Sequence, residues 1–158
     1  MAGYTNVDLL PLDGVDVVAD LNRKPWPFED SQFELILCNH YLEHVADIVL
    51  TMEELHRIGE PGALVVFRTP YFANYESFRD PTHRWHLTLD SLDYFVEGNG
   101  YPKYTDRRYR AVSKELTFPH PWRHPGYWAY RLHKKTYEKY VAHVFPGTWL
   151  HIRLAVVK

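Results

Sequence analysis

The sequence has very little cysteine and no long apolar run. Cys38 is the single cysteine among 158 residues, so the chain cannot form an internal disulfide. No apolar stretch approaches the roughly 20 residues that a membrane-spanning helix needs. Residues 1–4 do not resemble a secretory signal peptide. These absences predict a cytoplasmic protein that has no membrane partner.

The composition that remains is typical of a globular protein. Hydrophobic residues make up 46% of the chain and aromatic residues 16%, which is enough apolar surface to build a core and excludes a disordered protein. A length of 158 residues suits one domain better than two. We therefore predict a single domain that spans residues 1–158.

The net charge of −2 conceals two regions of opposite sign. Residues 1–100 contain 6 Lys/Arg and 17 Asp/Glu, whereas residues 101–140 contain 10 and 3. We interpret residues 101–145 as a basic, aromatic insertion, either a solvated surface or a cationic lip that faces an anionic ligand. The insertion has no helix-turn-helix, zinc-finger or RNA-recognition signature, which argues against a nucleic-acid partner.

The hydrophobic pattern predicts strands that alternate with helices. Apolar runs at 6–10 and 15–19 predict short strands, and the nearly continuous run at 33–37 predicts a strand that is buried on both faces. Apolar residues at helical spacing predict a helix over 45–55, with Asp47 favourable in its first turn. Similar patterns predict strands at 63–67, 109–118 and 149–157, and helices at 88–98 and 127–143.

A strand, a helix and a strand at this spacing imply parallel pairing with a right-handed crossover. The fold class is therefore α/β. Only about six residues separate the first two strands, which is short for a parallel connection. We still predict that they are parallel, because an extended linker can retrace a strand of three or four residues.

Polar side chains follow four of the predicted strands. Asp8 and Asp20 end the first two strands, Asn39 and its neighbours follow the third, and Arg68 follows the fourth. Because ligands of open α/β sheets bind beyond the carboxyl ends of the strands, these residues predict a ligand site at that edge. The alternative is that the two aspartates cap turns and Asn39 fixes a loop.

Five pieces of the chain carry a family resemblance. They occur in family order between residues 4 and 158: NVDLLPLDGVDVVADL, PWPFEDSQFELILCNHYLEHV, MEELHRIGEPGALVVFRTP, DPTHRWHLTLDSLDYF and VFPGTWLHIRLAVVK. The chain resembles the class I S-adenosylmethionine-dependent methyltransferases, and among them the type 11 branch. The resemblance implies a Rossmann-like, mostly parallel sheet with flanking helices and an antiparallel C-terminal strand.

The resemblance also implies S-adenosylmethionine as the cofactor and gives particular residues a role. Asp8 matches the acidic residue that accepts hydrogen bonds from both ribose hydroxyls, a task that suits a carboxylate. Asp20 and the backbone of Leu21 match the segment that contacts the adenine edge. Cys38 and Asn39 match the strand tip beside the methionine part of the cofactor.

The chain departs from the family pattern at its start. The family opens with a strand and a glycine-rich turn, and residues 1–4 match neither. We therefore expect a fold that is truncated at the N-terminus, with the first strand absent and the cofactor site incomplete. We also expect a homo-oligomer that covers the exposed strand edges. Glu43 and His44 match a recurrent family motif, which we interpret as structural support for the nearby loop.

Methyl transfer to an oxygen atom needs a base that takes the proton of the acceptor. His40 is the first candidate and His83 the second, because a histidine changes its charge near neutral pH. Asp80 could orient an imidazole or could simply cap the turn at Pro81. Three arginines are either ligands of an acidic substrate or solvated side chains, namely Arg68, Arg79 and Arg84.

The sequence contains no Cys/His quartet and no His-Glu-x-x-His motif, so we expect no metal site. The leading hypothesis is a methyltransferase-like protein that acts on a small acceptor, sugar-containing or anionic. One alternative is a non-catalytic binding or scaffold protein of the same fold. Another is an RNA-binding or RNA-modifying protein that uses the basic segment.

Overall fold

The computed structural model describes residues 3–158. Residues 1 and 2, which belong to the stretch compared with a signal peptide, lie outside the described residues. The strands are β1 (Val7–Asp8), β2 (Val17–Val18), β3 (Phe33–Asn39), β4 (Gly59–Pro70), β5 (Arg108–Leu116) and β6 (Trp149–Val157). The helices are α1 (Ile48–Ile58), α2 (Glu76–Arg79), α3 (Pro125–Leu132) and α4 (Lys134–Thr136), which continues as a π-helical turn over Tyr137–Val141.

The strands form two hydrogen-bonded groups. β1 and β2 pair in parallel, as predicted despite their short connection. The other strands form one sheet in the order β3-β4-β6-β5. β3 and β4 are parallel, and β6 is antiparallel to both of its neighbours. Within this sheet β6 alone is reversed, so the predicted α/β class, the mostly parallel strand direction and the antiparallel C-terminal strand are confirmed.

Helix α1 makes the crossover between β3 and β4. Asp47, which was expected to help the first turn through its charge, is the N-cap of the helix: its carboxylate accepts a hydrogen bond of 3.0 Å from the backbone N–H of Leu50. Met52, Leu55 and Ile58 lie on the buried side of the helix. The helix therefore contributes its apolar stripe to the core, which is what the sequence pattern indicates.

The prediction that β3 is buried on both faces is wrong. Cys38 belongs to the core, but Leu35 and Leu37, on the opposite face, are 39% and 51% exposed. Leu35 and Leu37 stand beside the half-buried Leu64 and Val66 of β4. One face of this part of the sheet is thus only partly covered within residues 3–158.

The predicted helix over 88–98 is replaced by turns and a short 3-10 helix at Asp93–Phe95. Hydroxyl side chains close local turns here: the N–H of Thr88 donates to Ser91 Oγ at 2.8 Å, and the N–H of Asp90 to Thr88 Oγ1 at 3.3 Å. Hydroxyl side chains that bind nearby backbone groups compete with helix formation in this way.

The basic segment contributes to the sheet as well as to the surface. Residues 101–145 include β5, which pairs with β6 along its whole length. The helix expected over 127–143 is interrupted at His133, whose backbone is extended (φ −158°, ψ 99°). The ring of His133 then accepts a hydrogen bond from the N–H of Thr136 and starts α4.

Arg57 fastens the segment that precedes β3 to helix α1. Its guanidinium donates to the carbonyl oxygens of Trp26 (3.2 Å) and Phe28 (2.8 Å). It also pairs with Glu54 at 2.7 Å and with Asp30 at 2.8 Å. The contacts with Glu54 first, and then with Asp30, raise the pKa of Arg57. One side chain therefore holds the chain that links β2 to β3.

Candidate functional site

Asp8 and Asp20 lie at the same end of the β1–β2 pair. The backbone oxygen of Asp8 accepts a hydrogen bond of 2.9 Å from Ala19, the neighbour of Asp20. Each carboxylate also closes its own turn, Asp8 through the N–H of Leu10 at 2.9 Å and Asp20 through that of Asn22 at 3.0 Å. Both side chains therefore cap turns, and a carboxylate has further acceptor capacity for a ligand.

The turn after Asp20 contacts the loop that follows β3. The side-chain oxygen of Asn22 accepts a hydrogen bond of 2.8 Å from the backbone N–H of Ala46. The carbonyl of Leu21 accepts from Trp26 Nε1 at 2.8 Å, so its oxygen is already engaged. The β1–β2 pair is thus tied to the larger sheet on the side where Asp20 ends its strand.

Tyr41 lies near the tip of β3 and the turn after β2, and it was not among the predicted site residues. Burial raises its pKa, and the nearby Cys38 and Asp20 add to that shift. Its hydroxyl is buried, and an interaction with the Thr51 side chain lowers the pKa against the effect of burial. The hydroxyl is therefore a polar group close to the tip of β3 and to the Asp20 turn.

The three residues at the tip of β3, Cys38, Asn39 and His40, lie in different environments. The side chain of Cys38 is packed in the core, where burial raises its pKa to about 12, so only its backbone can serve a ligand. Asn39 is exposed at the strand end, in register with Arg68 of β4. His40 has a positive φ of 49°, an unusual conformation that often marks a functional position.

His40, Arg68 and Trp149 form one cluster beyond β3 and β4. The N–H of His40 donates to the carbonyl of Arg68 at 2.9 Å. The ring of Trp149 packs against both, with 4.8 Å between the centres of its ring and the imidazole and 5.0 Å from its centre to the guanidinium carbon. Sequence reading placed Trp149 only at the start of a strand, and nothing local marks its partners.

The other predicted residues lie in the loop after β4. Asp80 accepts hydrogen bonds from the backbone and hydroxyl of Thr82 at 2.8 and 2.7 Å, and these bonds lower its pKa. This geometry supports the turn-capping alternative for Asp80. His83 Nδ1 lies 3.0 Å from the carbonyl of Ser77. Arg79 is exposed and pairs with Glu76 at 3.3 Å.

The loop after β4 is docked on the loop after β3. The backbone N–H groups of Arg84 and Trp85 donate to the carbonyl of Glu43 at 2.8 and 3.3 Å, and the indole of Trp85 donates to Val45 at 2.7 Å. The backbone of Glu43 therefore supports the loop after β4, whereas its motif was expected to support the loop at the tip of β3. The side chain of Arg84 is exposed, and its backbone is fixed by this contact.

These strand ends can now be compared with known proteins. Residues 4–106 match the model of a family described as a methyltransferase domain. The chain belongs to this methyltransferase domain family. No curated protein matches the sequence significantly. The family implies S-adenosylmethionine as the cofactor, and the carboxylates of the Asp8 and Asp20 turns fit a polar nucleoside.

Solved structures share the fold at low identity. An S-adenosylmethionine-dependent methyltransferase from Archaeoglobus fulgidus has a TM-score of 0.56 and 16% identity, over 94% of this chain and 74% of its own. The methyltransferase bound to the Haloferax volcanii activator Trm112 has a TM-score of 0.55 and 14% identity, over 90% of this chain and 61% of its own. The [4+2]-cyclase SpnF has a TM-score of 0.52 and 16% identity, over 89% of this chain and 55% of its own. Such likeness establishes the fold and leaves the reaction to the site.

Within residues 3–158, no helix is both long and apolar enough to cross a bilayer.

Proposed function

We propose that this chain binds S-adenosylmethionine and takes part in methyl transfer to a small acceptor that is anionic or sugar-containing. The observation that supports this most is the cluster of His40, Arg68 and Trp149 at the strand ends, next to the loop that contacts the Asp20 turn. This cluster joins a titratable group, a cation and an aromatic surface. It therefore provides a base and an anion-binding side chain on one edge of the sheet.

Each residue would have one task. The Asp8 carboxylate would accept hydrogen bonds from the ribose, Asp20 and the N–H of Leu21 would contact the adenine, and Asn39 would line the methionine part. The bound cofactor supplies a methyl group on a sulfonium, which leaves as a neutral thioether. The protein must hold the acceptor in line with that methyl group, and positioning of this kind contributes about 7–11 kcal/mol at best.

His40 is the stronger candidate for the base. Its Nδ1 lies 3.2 Å from the carboxylate of Glu43, close enough for the negative charge to stabilise a positive charge on the ring, although the contact lacks the geometry of a hydrogen bond. Nε2 can then accept the proton of an acceptor hydroxyl. Arg68 is held over Trp149 and can pair with a carboxylate or phosphate on the acceptor.

Calorimetric titration with S-adenosylhomocysteine tests the proposal. We expect saturable binding with one site per chain. The absence of heat at millimolar ligand would overturn the proposal and favour the non-catalytic scaffold.

The observation that favours the RNA-binding alternative is Trp122, which is 73% exposed beside the basic Arg123. Retention on heparin that falls with rising salt would support it.

We further propose that the cofactor site is incomplete in one chain and that a homo-oligomer covers the open strand edge. Within residues 3–158, β3 pairs only with β4, and Leu35 and Leu37 are exposed next to the unpaired edge. Unpaired edges with apolar side chains favour association. The cytoplasmic location also remains a proposal, in keeping with the single reduced cysteine.

Light scattering tests the oligomer. We expect the wild-type mass to be a multiple of the 18.8 kDa chain mass. Leu37→Lys should shift the mass to that of a monomer, because it places a charge on the apolar surface beside β3. The control is Val144→Lys, at a residue that is 69% exposed away from β3. A monomeric wild-type protein would contradict the proposal.

A further inference from the structure

Three potential metal ligands meet between the loops that follow β3 and β4. Glu43, His44 and His83 each offer one ligand atom, and these atoms all lie within 4.8 Å of one another. The rings of His44 and His83 are 4.7 Å apart between their centres. Glu43 is buried and both histidines are half-buried, so the cluster can be reached from solvent on the histidine side.

The carboxylate of Glu43 lacks the partners that a buried charge needs. The residue is 1% exposed, and neither of its carboxylate oxygens has a hydrogen-bond partner within the described part of the chain. The nearest cationic group is His40, whose Nδ1 lies 3.2 Å from Oε1 and carries charge only when it is protonated. A buried carboxylate without hydrogen bonds is strongly unfavourable, and a bound cation would compensate for it.

The hydrogen bonds around His44 determine which of its nitrogens can bind a cation. The hydroxyl of Thr82 lies 2.7 Å from the carboxylate of Asp80 and 2.9 Å from His44 Nδ1. The ionised carboxylate can only accept, so the hydroxyl donates to it and accepts from Nδ1–H. Nε2 of His44 therefore keeps a free lone pair.

His83 has the same arrangement. Its Nδ1 lies 3.0 Å from the carbonyl oxygen of Ser77, which can only accept, so Nδ1 carries the proton and Nε2 keeps its lone pair. Histidines that bind metals commonly donate the other ring N–H to a carbonyl or a carboxylate-linked group, which fixes tautomer and orientation. Both rings thus already have the supporting contacts of metal ligands.

We propose that Glu43, His44 and His83 form a binding site for a divalent transition metal of the zinc class. Two imidazoles and one carboxylate suit zinc better than magnesium or calcium, which prefer oxygen ligands. Zinc ligands lie about 2.0–2.2 Å from the ion, so tetrahedral ligand atoms are roughly 3.4 Å apart. The three side chains need to close by an ångström or so, and the fourth position stays open.

The metal would join the loop after β3 to the loop after β4. Those loops already meet through the backbone bonds that Arg84 and Trp85 donate to Glu43. The sequence predicted no metal site because the known zinc motifs place ligands at short spacing, whereas His44 and His83 are far apart in the chain. This inference concerns metal binding and does not depend on methyl transfer.

Zinc affinity measured against a chromophoric chelator tests the site, after metal has been removed by dialysis against a chelator. We expect one zinc ion per chain and, with cobalt(II) instead, the visible absorption bands of a tetrahedral complex. Glu43→Gln and His83→Gln should each weaken zinc binding at least about tenfold. His120→Asn, at an exposed histidine with a positive φ of 48°, should leave it unchanged.

Two results would overturn the proposal. One is a wild-type protein that binds no zinc at millimolar concentration. The other is zinc affinity that stays the same in Glu43→Gln and His83→Gln, which would place the ion elsewhere. Glu43→Gln keeps the shape of a buried side chain, and His83→Gln alters a half-buried residue, so unfolding of one variant leaves the other as the test.

Discussion

Replacement of Asp8 with asparagine is expected to weaken binding of S-adenosylhomocysteine by about 10- to 100-fold. A carboxylate can accept from both ribose hydroxyls, whereas an amide offers one acceptor and no charge. Hydrogen bonds to a charged group contribute about 1.5–3 kcal/mol, which corresponds to that loss of affinity. Calorimetric titration of the variant measures it directly.

Asp13→Asn is the matched control, since Asp13 is an exposed acidic residue in the connection between β1 and β2. It should bind S-adenosylhomocysteine like the wild type. In the Asp8→Asn variant, the side-chain oxygen of the asparagine can still accept from the N–H of Leu10, so the turn at residue 8 should survive the substitution. Equal affinity of the Asp8 variant and the wild type would show that Asp8 does not contact the ribose.

Replacement of Arg57 with alanine is expected to lower the free energy of unfolding by about 2–4 kcal/mol. The variant loses the hydrogen bonds to Trp26 and Phe28, and it leaves Glu54, whose side chain is 11% exposed, without its cation. A largely buried charge without its partner destabilises a protein more than the loss of a surface pair. Urea unfolding of the variant measures the difference.

Arg79→Ala provides the comparison, because Arg79 pairs with Glu76 on the surface. Its effect should stay within about 0.5 kcal/mol. Arg57→Lys keeps the charge but not the fork of donors, so it should fall between the wild type and the alanine variant. If Arg57→Ala unfolds at the same urea concentration as Arg79→Ala, the segment before β3 does not depend on this side chain.

Short-range features of the sequence were sufficient for much of the fold. The apolar run at 149–157 matches β6 in both bounds, and the apolar stripe of α1 follows from spacing alone. The parallel pairing of β1 and β2 was predicted although their connection is short for it, and the structure has it. These features depend on residues that are neighbours in the chain, which is why their pattern is visible without coordinates.

Elements whose neighbours are distant in the chain could not be predicted in this way. The helix expected over 88–98 does not form, and Asp93 within that stretch pairs with the distant Lys114 at 2.6 Å. The exposure of Leu35 and Leu37 depends on which elements cover β3. An apolar run in the sequence does not show which elements pack against each face of the strand.

The sequence by itself determined the α/β class, the family resemblance and the approximate places of the strands. Only the tertiary structure decided that Trp149 packs on His40, and that Glu43 and His44 meet His83. The reason is that strand ends are local features, whereas the partners of a side chain at such an end come from whichever loops the sheet brings together.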